Sequence, residues 1–428
     1  MRIVVVLALF AVSLLAQDAG ISGDWLVTFD LYGTPNYVRW KVEQNNGRYS
    51  TKFFGMNLSG TMNGNTIDFT CTRKEDDTEK ACGKATGTLS GNELHGTGKI
   101  DDMDVTWSAR RANVPPQSPQ LHEFKATKFY RQFNGNTEPV LHLNPGDTVR
   151  TKCVDAGGKD ETNTARSLGG NPLTGPFYIE SAWPGDTLVV RLNRVRLNRD
   201  SAEIDNNSVV ASALDPYYAR DLKLPKDFES TWRLDREAGT ATLTKATDPL
   251  KNFKVALHPM MGCIGVAPPN YQAFQSGNLG RYGGNMDYNQ VREGTTVYLP
   301  VFQPGALLFV GDGHATQGDG ELTGNALETS MDVEFTVDLI RGKSLGQPRF
   351  ENNDYVMVSG IAGSLDDAMR MATTGLSRWL EQEYKLNPGE IAMVLGSSMQ
   401  YDIAEVVDPQ VHVVAKLKKA VLALIQKP

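Results

Sequence analysis

The stretch VYLPVFQPGALLFVGDGHATQGDGE, residues 297–321, is the clearest indication of the fold. Two apolar segments flank a Pro-Gly turn, which predicts a pair of buried strands. The end of the stretch, residues 310–321, contains four glycines, three acidic side chains and one histidine. Glycine at this density predicts a tight loop. Because like-charged carboxylates repel each other, such a loop needs a cation, buried donors or a shared proton. A metal ion is the first candidate partner.

The overall composition is that of a globular protein with many turns and short strands. The chain has 428 residues, which predicts two or three domains, and it contains 41 glycines and 21 prolines. Its formal net charge is −7. No basic run occurs in the sequence, which argues against nucleic acid as a partner.

The N-terminus has the pattern of an export signal. Residues 1–16 begin with one basic residue, continue with a short apolar run and end in small residues, as secretory signal peptides do. An uncleaved membrane anchor is the alternative. We therefore expect a secreted or periplasmic protein with no membrane span after signal removal.

Residues 20–111 are predicted to form a small antiparallel β-barrel that resembles lipocalin-like modules. Short alternating segments are separated by Asn-Gly and Gly-Asn turns, which are typical of hairpins. The domain either binds a ligand or serves as a packing or solubility appendage. Cys71 and Cys82 lie close together in strand-like sequence and predict a disulfide in an oxidising compartment. Cys153 and Cys263 either pair or remain two buried thiols.

Residues 112–123 are a proline-rich linker, and residues 124–428 are the second domain. In that domain the phrases LNPGDTV and AWPGDTLVV are nearly the same. They predict two equivalent turns that feed two strands, with Asp147 and Asp186 as capping residues rather than catalysts.

The last part of the chain predicts two helices and a strand packed on the β core. Ser364 with Asp367 predicts a capping box, and Asn387, Pro388 and Glu390 predict a second helix start. The segment VHVVAKLK predicts a strand. The apolar stripe of the first helix is expected in the core and consists of Leu365, Met369, Ala372, Leu376 and Leu380.

Several separated motifs, in the same order, resemble the acetamidase/formamidase family. They are LTGPFYIESAWPGDTL, GCIGVAPP, GGNMDYNQV, VYLPVFQPGALLFVGDGHATQGDGE and DYVMVSGIAGSLDDAMR. The resemblance implies a mainly β chain, in which the N-terminal small antiparallel β-barrel precedes a large β-sandwich-like acetamidase/formamidase fold with a small C-terminal α+β part. It also implies metal-dependent hydrolysis of short aliphatic amides to a carboxylate and ammonia, Zn²⁺ as the usual metal, and a homo-oligomer.

The residues and the resemblance together indicate a metal site. Asp312 and His314 are expected to contact the metal or its water. Asp155 matches a family aspartate and is a candidate ligand from a distant strand. Glu321 or Asp319 is the candidate general acid/base, or a further ligand.

Two glycine-rich segments are expected to contact the substrate. Asn285 and Asp287, in GGNMD, are candidate substrate-binding residues or neighbours of the metal ligands. Backbone N–H groups around Gly262 and Gly265, in MGCIGVAP, are candidates for an oxyanion nest. A nucleophilic role for Cys263 is disfavoured, because no activating base accompanies it.

Four positions depart from the family pattern. Tyr130 stands where a His is usual, and Phe133 with Asn134 replaces a Trp-Asp pair. Asn171 replaces a His before PLTGP. A site with fewer imidazoles and more oxygen ligands favours Ca²⁺, Mg²⁺ or Mn²⁺ over Zn²⁺. The alternative function is a non-catalytic secreted ligand-binding protein on the same fold. His258 is either a replacement ligand or a core or loop histidine.

Overall fold

The computed structural model describes residues 20–112, 118–204, 208–225 and 230–427. The chain forms two compact units that divide between Pro115 and Pro116, inside the predicted linker. The predicted signal peptide, residues 1–16, lies outside the described residues. Among the helices of the described ranges, none is both long and apolar enough to cross a bilayer.

The first unit is a closed antiparallel barrel in which each strand pairs with the next and the last pairs with the first. Its strands are β1 (Gly23–Leu31), β2 (Thr34–Asn45), β3 (Arg48–Phe53), β4 (Met56–Asn63), β5 (Thr66–Glu75), β6 (Thr78–Ser90), β7 (Glu93–Ile100) and β8 (Met103–Arg111). Between β2 and β3, Asn46 and Gly47 have φ of 49° and 77°, as a two-residue hairpin turn requires. The predicted barrel is confirmed.

Aromatic side chains occupy the interior of the barrel. The ring of Trp40 lies 5.3 Å from that of Trp107, 5.6 Å from that of Phe29 and 5.7 Å from that of Phe69, between centroids. All four side chains are buried. These large rings are packed at separations typical of favourable aromatic pairs, so the stability of the barrel rests on its own filled core.

The four cysteines fall into one disulfide and two thiols. Cys71 in β5 and Cys82 in β6 are joined by a disulfide, as predicted. Cys153 and Cys263 are both buried and free, which resolves the alternative left open by the sequence.

The strands of the first part of the second unit belong to four sheets. In chain order up to residue 256 they are β9 (Leu121–Glu123), β10 (Gln132–Phe133), β11 (Leu141–Leu143), β12 (Thr148–Cys153), β13 (Leu173–Ile179), β14 (Thr187–Leu197), β15 (Ser201–Glu203), β16 (Thr231–Asp235), β17 (Thr240–Leu243) and β18 (Lys254–Ala256). The helix α1 (Pro216–Asp221) and the 3₁₀ turns Ala211–Ala213 and Asp248–Leu250 lie among them.

The rest of the unit supplies the longer core strands and the helices. Its strands are β19 (Met260–Gly265), β20 (Phe274–Gln275), β21 (Leu279–Gly280), β22 (Gly283–Asn285), β23 (Thr296–Pro300), β24 (Leu308–His314), β25 (Met331–Ile340), β26 (Arg349–Glu351), β27 (Tyr355–Ala362), β28 (Gln400–Glu405) and β29 (Val411–Lys418). The helices are α2 (Leu365–Tyr384), α3 (Pro388–Ser398) and α4 (Lys419–Leu422), and a 3₁₀ turn spans Pro269–Tyr271.

Two large sheets form the body of the second unit. A six-stranded sheet has the order β11-β13-β24-β19-β22-β21, and a nine-stranded sheet has the order β28-β29-β27-β26-β23-β14-β25-β12-β9. Buried side chains from both sheets share one core. For example, Phe177 of β13 packs edge-on against Phe335 of β25, with ring centroids 5.3 Å apart. This is the packing of a β-sandwich, as predicted.

The C-terminal helices cover part of the nine-stranded sheet. Ser364 caps α2 by accepting from Asp367 N, and α3 begins at the predicted N-cap Asn387, which forms a capping box with Glu390. Leu376 belongs to the core between α2 and the sheet. The predicted core stripe is wrong at the first turns of α2, since Leu365 is 42% and Met369 is 41% exposed. The buried face of these turns is formed instead by Ala368 and Ala372, whose backbone packs closely on Gly360 of β27.

Both Pro-Gly turns are capped as the sequence predicts. The carboxylate of Asp147 accepts from Asn144 N at 2.9 Å and Gln120 N at 2.8 Å. The carboxylate of Asp186 accepts from Trp183 N at 3.1 Å and from a second backbone N–H. Both aspartates therefore have structural roles.

Removing the disulfide is expected to destabilise the barrel. The residues it joins are 11 apart in sequence, and closing a loop of this size stabilises a folded chain by about 3 kcal/mol. In the double variant Cys71→Ser, Cys82→Ser, the β5 and β6 amides should exchange faster, and the free energy of opening derived from their rates should fall by about 3 kcal/mol. The β24 amides should keep their exchange rates. Unchanged exchange in β5 and β6 would contradict this.

Candidate active site

The glycine-rich acidic stretch continues a strand before it becomes a loop. Residues Leu308–His314 form β24, which pairs with β13 and β19; the prediction of a loop is therefore wrong up to His314. The glycines serve close packing, because a Cβ on Gly313 would lie 2.3 Å from Met331 Cγ and one on Gly311 would lie 2.8 Å from a carbonyl oxygen. Asp312 between them takes φ of 57°.

Three of the predicted site residues converge at this strand end. His314 Nε2 lies 3.4 Å from Asp312 Oδ2 and 3.9 Å from Asp287 Oδ1. The ligand atoms of these three side chains all lie within 4.8 Å of one another. Asp287 thus lies beside Asp312 and His314, in the position of a ligand rather than a substrate contact.

A second group of ligand atoms shares the same histidine. His314, Glu321 and Glu328 also have ligand atoms within 4.8 Å of one another, and His314 Nε2 lies 3.3 Å from Glu328 Oε1. Glu328 was missed by sequence reasoning, since it lies outside the glycine motif, in an ordinary segment before β25. We call Asp287, Asp312, His314, Glu321 and Glu328 the acidic cluster.

The acidic cluster is buried, and this dominates its electrostatics. Burial raises the pKa of Asp287 and of Glu321 well above the usual range, and raises that of Glu328 to about 7. Burial alone would lower the pKa of His314, but the carboxylates of Glu328 and Asp312 outweigh it and hold that pKa well above its usual value. Without a cation the cluster therefore retains protons near neutral pH.

Several buried polar atoms of the acidic cluster lack a hydrogen-bond partner among the described residues. They are Asp287 Oδ1, Asp312 Oδ1, His314 Nε2 and Glu328 Oε2. Unpartnered buried carboxylate oxygens are costly, and an imidazole nitrogen with carboxylate oxygens is the donor set of a divalent cation site. The residues present therefore fit a metal ion.

Gln317 fixes the orientation of His314. Its Nε2 donates to Asp287 O at 2.6 Å and Ala404 O at 3.2 Å, so its Oε1 acts as the acceptor for His314 Nδ1 at 2.9 Å. This assignment places a proton on Nδ1, so that loss of the second proton of the imidazole leaves the lone pair of Nε2 directed at the carboxylates. Metal-binding histidines are held in this way by a partner on the second nitrogen.

The structure places Asp155 outside the acidic cluster. Its Oδ2 accepts from Arg199 Nη2 at 2.5 Å, and both side chains are buried. The same Nη2 donates to the carbonyl oxygen of Glu328 at 3.2 Å. Because a buried guanidinium neutralises it, Asp155 supports the backbone of Glu328 through Arg199 and is not among the clustered ligand atoms.

The two candidate acid/base residues, Glu321 and Asp319, differ in their exposure to solvent. Glu321 is buried in the acidic cluster, at 6% exposure. Asp319 is exposed, and its Oδ1 accepts from Asn289 Nδ2 at 2.7 Å. The glycine at 320, with φ of 84°, turns the chain between them, so the two carboxylates have different environments.

Asn285 acts within the protein rather than towards a substrate. Its Nδ2 donates to Asp287 Oδ2 and, at 2.9 Å, to Asp408 Oδ2. Its Oδ1 accepts from Asn171 Nδ2 at 3.0 Å and from the Cys263 thiol at 2.7 Å. With all its polar atoms engaged, Asn285 positions Asp287.

The departures from the family pattern have unequal effects on the site. Asn171 Nδ2 lies 3.3 Å from Asp312 Oδ2, so this chain presents an amide where the pattern has an imidazole. Phe133 is fully buried in the core, and Asn134 caps its own turn by accepting from two backbone N–H groups. Tyr130 forms a backbone bridge with Leu173. These three positions are explained by packing.

Gly262 belongs to the site, but Gly265 does not. A Cβ on Gly262 would lie 2.3 Å from Asp287 Oδ1 and 2.4 Å from Asp312 Oδ2. A Cβ on Gly265 would instead meet Gly284 N at 2.6 Å, which is a packing contact. Both lie in the regular strand β19, so the predicted oxyanion nest is replaced by a strand whose missing side chain makes room for two carboxylates.

The remaining candidates do not form a second catalytic system. Burial raises the pKa of the Cys263 thiol well above its usual value, and the nearby Asp312 carboxylate raises it further. The thiol therefore stays protonated and is a poor nucleophile. His258 is exposed and its backbone N–H donates to Ala315 O. It is a loop histidine rather than a replacement ligand.

Comparison with known proteins shows what the second unit is similar to. The model of the Acetamidase/Formamidase family matches residues 276–371, a segment that contains the whole acidic cluster. This part of the chain is similar to the acetamidase/formamidase family. A formamidase from Methylophilus methylotrophus is 24% identical over 306 residues, which are 56% of this chain and 73% of that protein. An acetamidase from Mycolicibacterium smegmatis is 27% identical over 277 residues, which are 51% and 67%.

A solved structure extends the likeness to the fold. The acetamidase of Yersinia enterocolitica matches with a TM-score of 0.61 and 28% identity, and the match covers 72% of this chain and 94% of that one. The acidic cluster lies within the residues that the family model matches.

Replacing Gly262 should disable the acidic cluster without unfolding the chain. In Gly262→Ala the new Cβ would overlap the carboxylates of Asp287 and Asp312, and we expect the affinity for Zn²⁺ or Mn²⁺ to fall at least tenfold, about the loss seen when supporting residues of metal sites are changed. Equilibrium dialysis with metal analysis measures this. The matched control is Gly277→Ala, whose Cβ meets nothing within 4 Å; equal affinities in the two variants would contradict the assignment.

The metal-free protein should lose stability as the pH rises from about 4.5 to about 8. Burial raises the pKa of Glu328 to about 7 and that of Asp408 to about 8, so the folded chain holds protons that the unfolded chain has released. A cation replaces these protons, and the stability that it adds therefore increases with pH. Thermal melts at about pH 5 and pH 8, with and without Zn²⁺ or Mn²⁺, measure both effects. A cation effect that is no larger at the higher pH would refute this.

Proposed function

We propose that the protein is an exported, divalent-metal-dependent hydrolase of short aliphatic amides, which releases ammonia and a carboxylate. Its similarity to the Acetamidase/Formamidase family model, to a formamidase and to an acetamidase supports an amidase that cleaves amide C–N bonds. Dependence on a metal, the preference for acetamide-like or formamide-like substrates and export are our inferences. Export rests on residues 1–16, and assembly into a homo-oligomer stays a prediction from the family resemblance.

The observation that carries the proposal is the set of unpartnered ligand atoms in the acidic cluster. Asp287, Asp312, His314 and Glu328 each have a buried polar atom without a partner among the described residues. A cation held there would supply a Lewis acid for the substrate carbonyl and would lower the pKa of water. Gln317 holds the imidazole in the tautomer that such an ion needs.

Glu321 is the residue to which we assign proton transfer. It is buried at the edge of the cluster, and burial raises its pKa well above the usual range. A carboxyl group with such a pKa can take a proton near neutral pH and return it to the departing amine. Asp319 is exposed and lacks this environment.

The donor set bears on the identity of the metal. We propose Zn²⁺ first, because it is the metal usually associated with the family. The cluster has one imidazole and four carboxylates, and Asn171 stands where the pattern has a second imidazole. An oxygen-rich set of this kind also suits Mn²⁺, Mg²⁺ or Ca²⁺, and metal analysis of the purified mature chain distinguishes them.

The second candidate function is ligand binding without catalysis. The observation that favours it is the amide of Asn171 beside Asp312, which lowers the number of imidazoles at the site. Such a protein would bind a small amide or its carboxylate without releasing ammonia. Asp312 and His314, by contrast, match the family motif, and this favours the hydrolase over the binding protein.

Ammonia release from a panel of short amides tests the proposal. We expect Asp312→Ala and His314→Ala to abolish turnover, and Glu321→Gln to lower kcat by about 10²- to 10⁴-fold, the usual contribution of a general acid or base. Asp319→Asn is the matched control and should keep wild-type activity. Wild-type turnover in Asp312→Ala or in Glu321→Gln removes that residue from the site. Absence of ammonia with every amide, in a metal-loaded folded chain, favours the binding protein.

A further inference from the structure

A cavity of about 650 Å³ lies in the second unit between the nine-stranded sheet and helices α2 and α4. Its lining shares no residue with the acidic cluster. Val356 of β27 and Leu422 of α4 belong both to its wall and to the core under the helices. The volume is that of a site for a small molecule.

The lining of this cavity carries an excess of positive charge. Four cationic side chains and two carboxylates line it, which leaves two positive charges in excess; they are Lys343, Arg349, Lys419, Lys427, Glu351 and Glu383. A concave surface lined by one sign of charge concentrates ions of the opposite sign.

Both carboxylates of the cavity already have partners. Glu351 Oε1 lies 2.7 Å from Lys419 Nζ, and its Oε2 accepts from the Tyr298 hydroxyl at 3.0 Å. Glu383 is paired with Lys343. Each carboxylate therefore neutralises one lysine.

Arg349 and Lys427 are the two cations of the lining that have no carboxylate paired with them among the described residues, and Arg349 is the less exposed of the two. Among the described residues none places a carboxylate oxygen within 4 Å of its guanidinium, which instead lies 4.4 Å from the ring of Tyr298 and 5.7 Å from that of Trp379. Its Nε is buried and has no hydrogen-bond partner in the described part of the chain. A buried charged donor without an acceptor is costly, so an acceptor from outside the chain is expected.

The wall beside Arg349 is apolar. Ile340, Leu345, Trp379 and Leu422 contribute to the lining. Sites of this kind combine an apolar surface with a few polar groups that fix orientation. An inorganic ion would leave this surface uncovered.

We propose that the cavity binds a small organic anion, whose carboxylate or phosphate group is bound by Arg349 and whose apolar body lies against Trp379 and Leu422. Guanidinium groups bind both kinds of anion through paired N–H donors. The site is separate from the acidic cluster and does not rest on the function proposed above.

Calorimetric titration of the full-length mature chain, freed of metal, tests the proposal. The probes are benzoate, phenyl phosphate, inorganic phosphate and the uncharged benzyl alcohol, at concentrations up to about 10 mM. We expect one organic anion to bind with 1:1 stoichiometry, and benzyl alcohol and inorganic phosphate to bind at least tenfold more weakly. The binding should persist in His314→Ala, which excludes the acidic cluster as its location.

Three variants locate the bound anion. Arg349→Gln and Lys427→Glu should each weaken it at least tenfold, and the exposed Lys427 provides a test that does not depend on the packing of Arg349. Arg378→Gln, an exposed position on α2 outside the lining, is the matched control and should bind as the wild type does. The proposal fails if neither organic anion binds, if benzyl alcohol binds as tightly as the anions, or if folded Arg349→Gln or Lys427→Glu retains wild-type affinity.

Discussion

Electrostatic repulsion among buried carboxylates is the constraint on which the second unit depends. Asp287, Asp312, Glu321 and Glu328 surround one imidazole in a region closed to solvent. In water such groups would separate or remain hydrated, whereas here the strands hold them together. Protons or a cation must compensate the charge, and the raised pKa values of Asp287, Glu321 and Glu328 reflect this constraint.

Two features of the surrounding structure allow the carboxylates to lie so close together: a glycine beneath them and hydrogen-bond donors held in fixed positions. Gly262 lies under two carboxylates that any Cβ would displace. The guanidinium of Arg199 joins Asp155 to the backbone of Glu328, and the amide of Asn285 joins Asp287 to Asp408. The ligands are thus held by residues that do not themselves offer an unpartnered atom, and this support is why the site has a defined geometry.

Local signals in the sequence predicted the local structure well. Asn-Gly pairs placed the hairpins of the barrel, and the side chains of Ser364 and Asn387 marked the helix starts, because turns and caps depend on neighbouring residues alone. Asp312, His314 and Glu321 were accessible to the same reasoning since they share one motif. Glu328 and the pairing of Asp155 with Arg199 were not, because they depend on contacts between segments far apart in the chain. The high density of glycine led to the wrong prediction of a loop at residues 311–313, since glycine is typical of closely packed strands as well as of turns.

The side-chain amide of Gln317 bonds to the carbonyl of Ala404, a residue of β28 that follows both C-terminal helices. Asp408, a few residues later, reaches Asn285. These contacts join residues 87 and 123 positions apart in the chain, and contacts of such long range are slow to form. The acidic cluster consequently lacks two of its supporting contacts until the segment that follows both C-terminal helices has packed against the rest of the second unit.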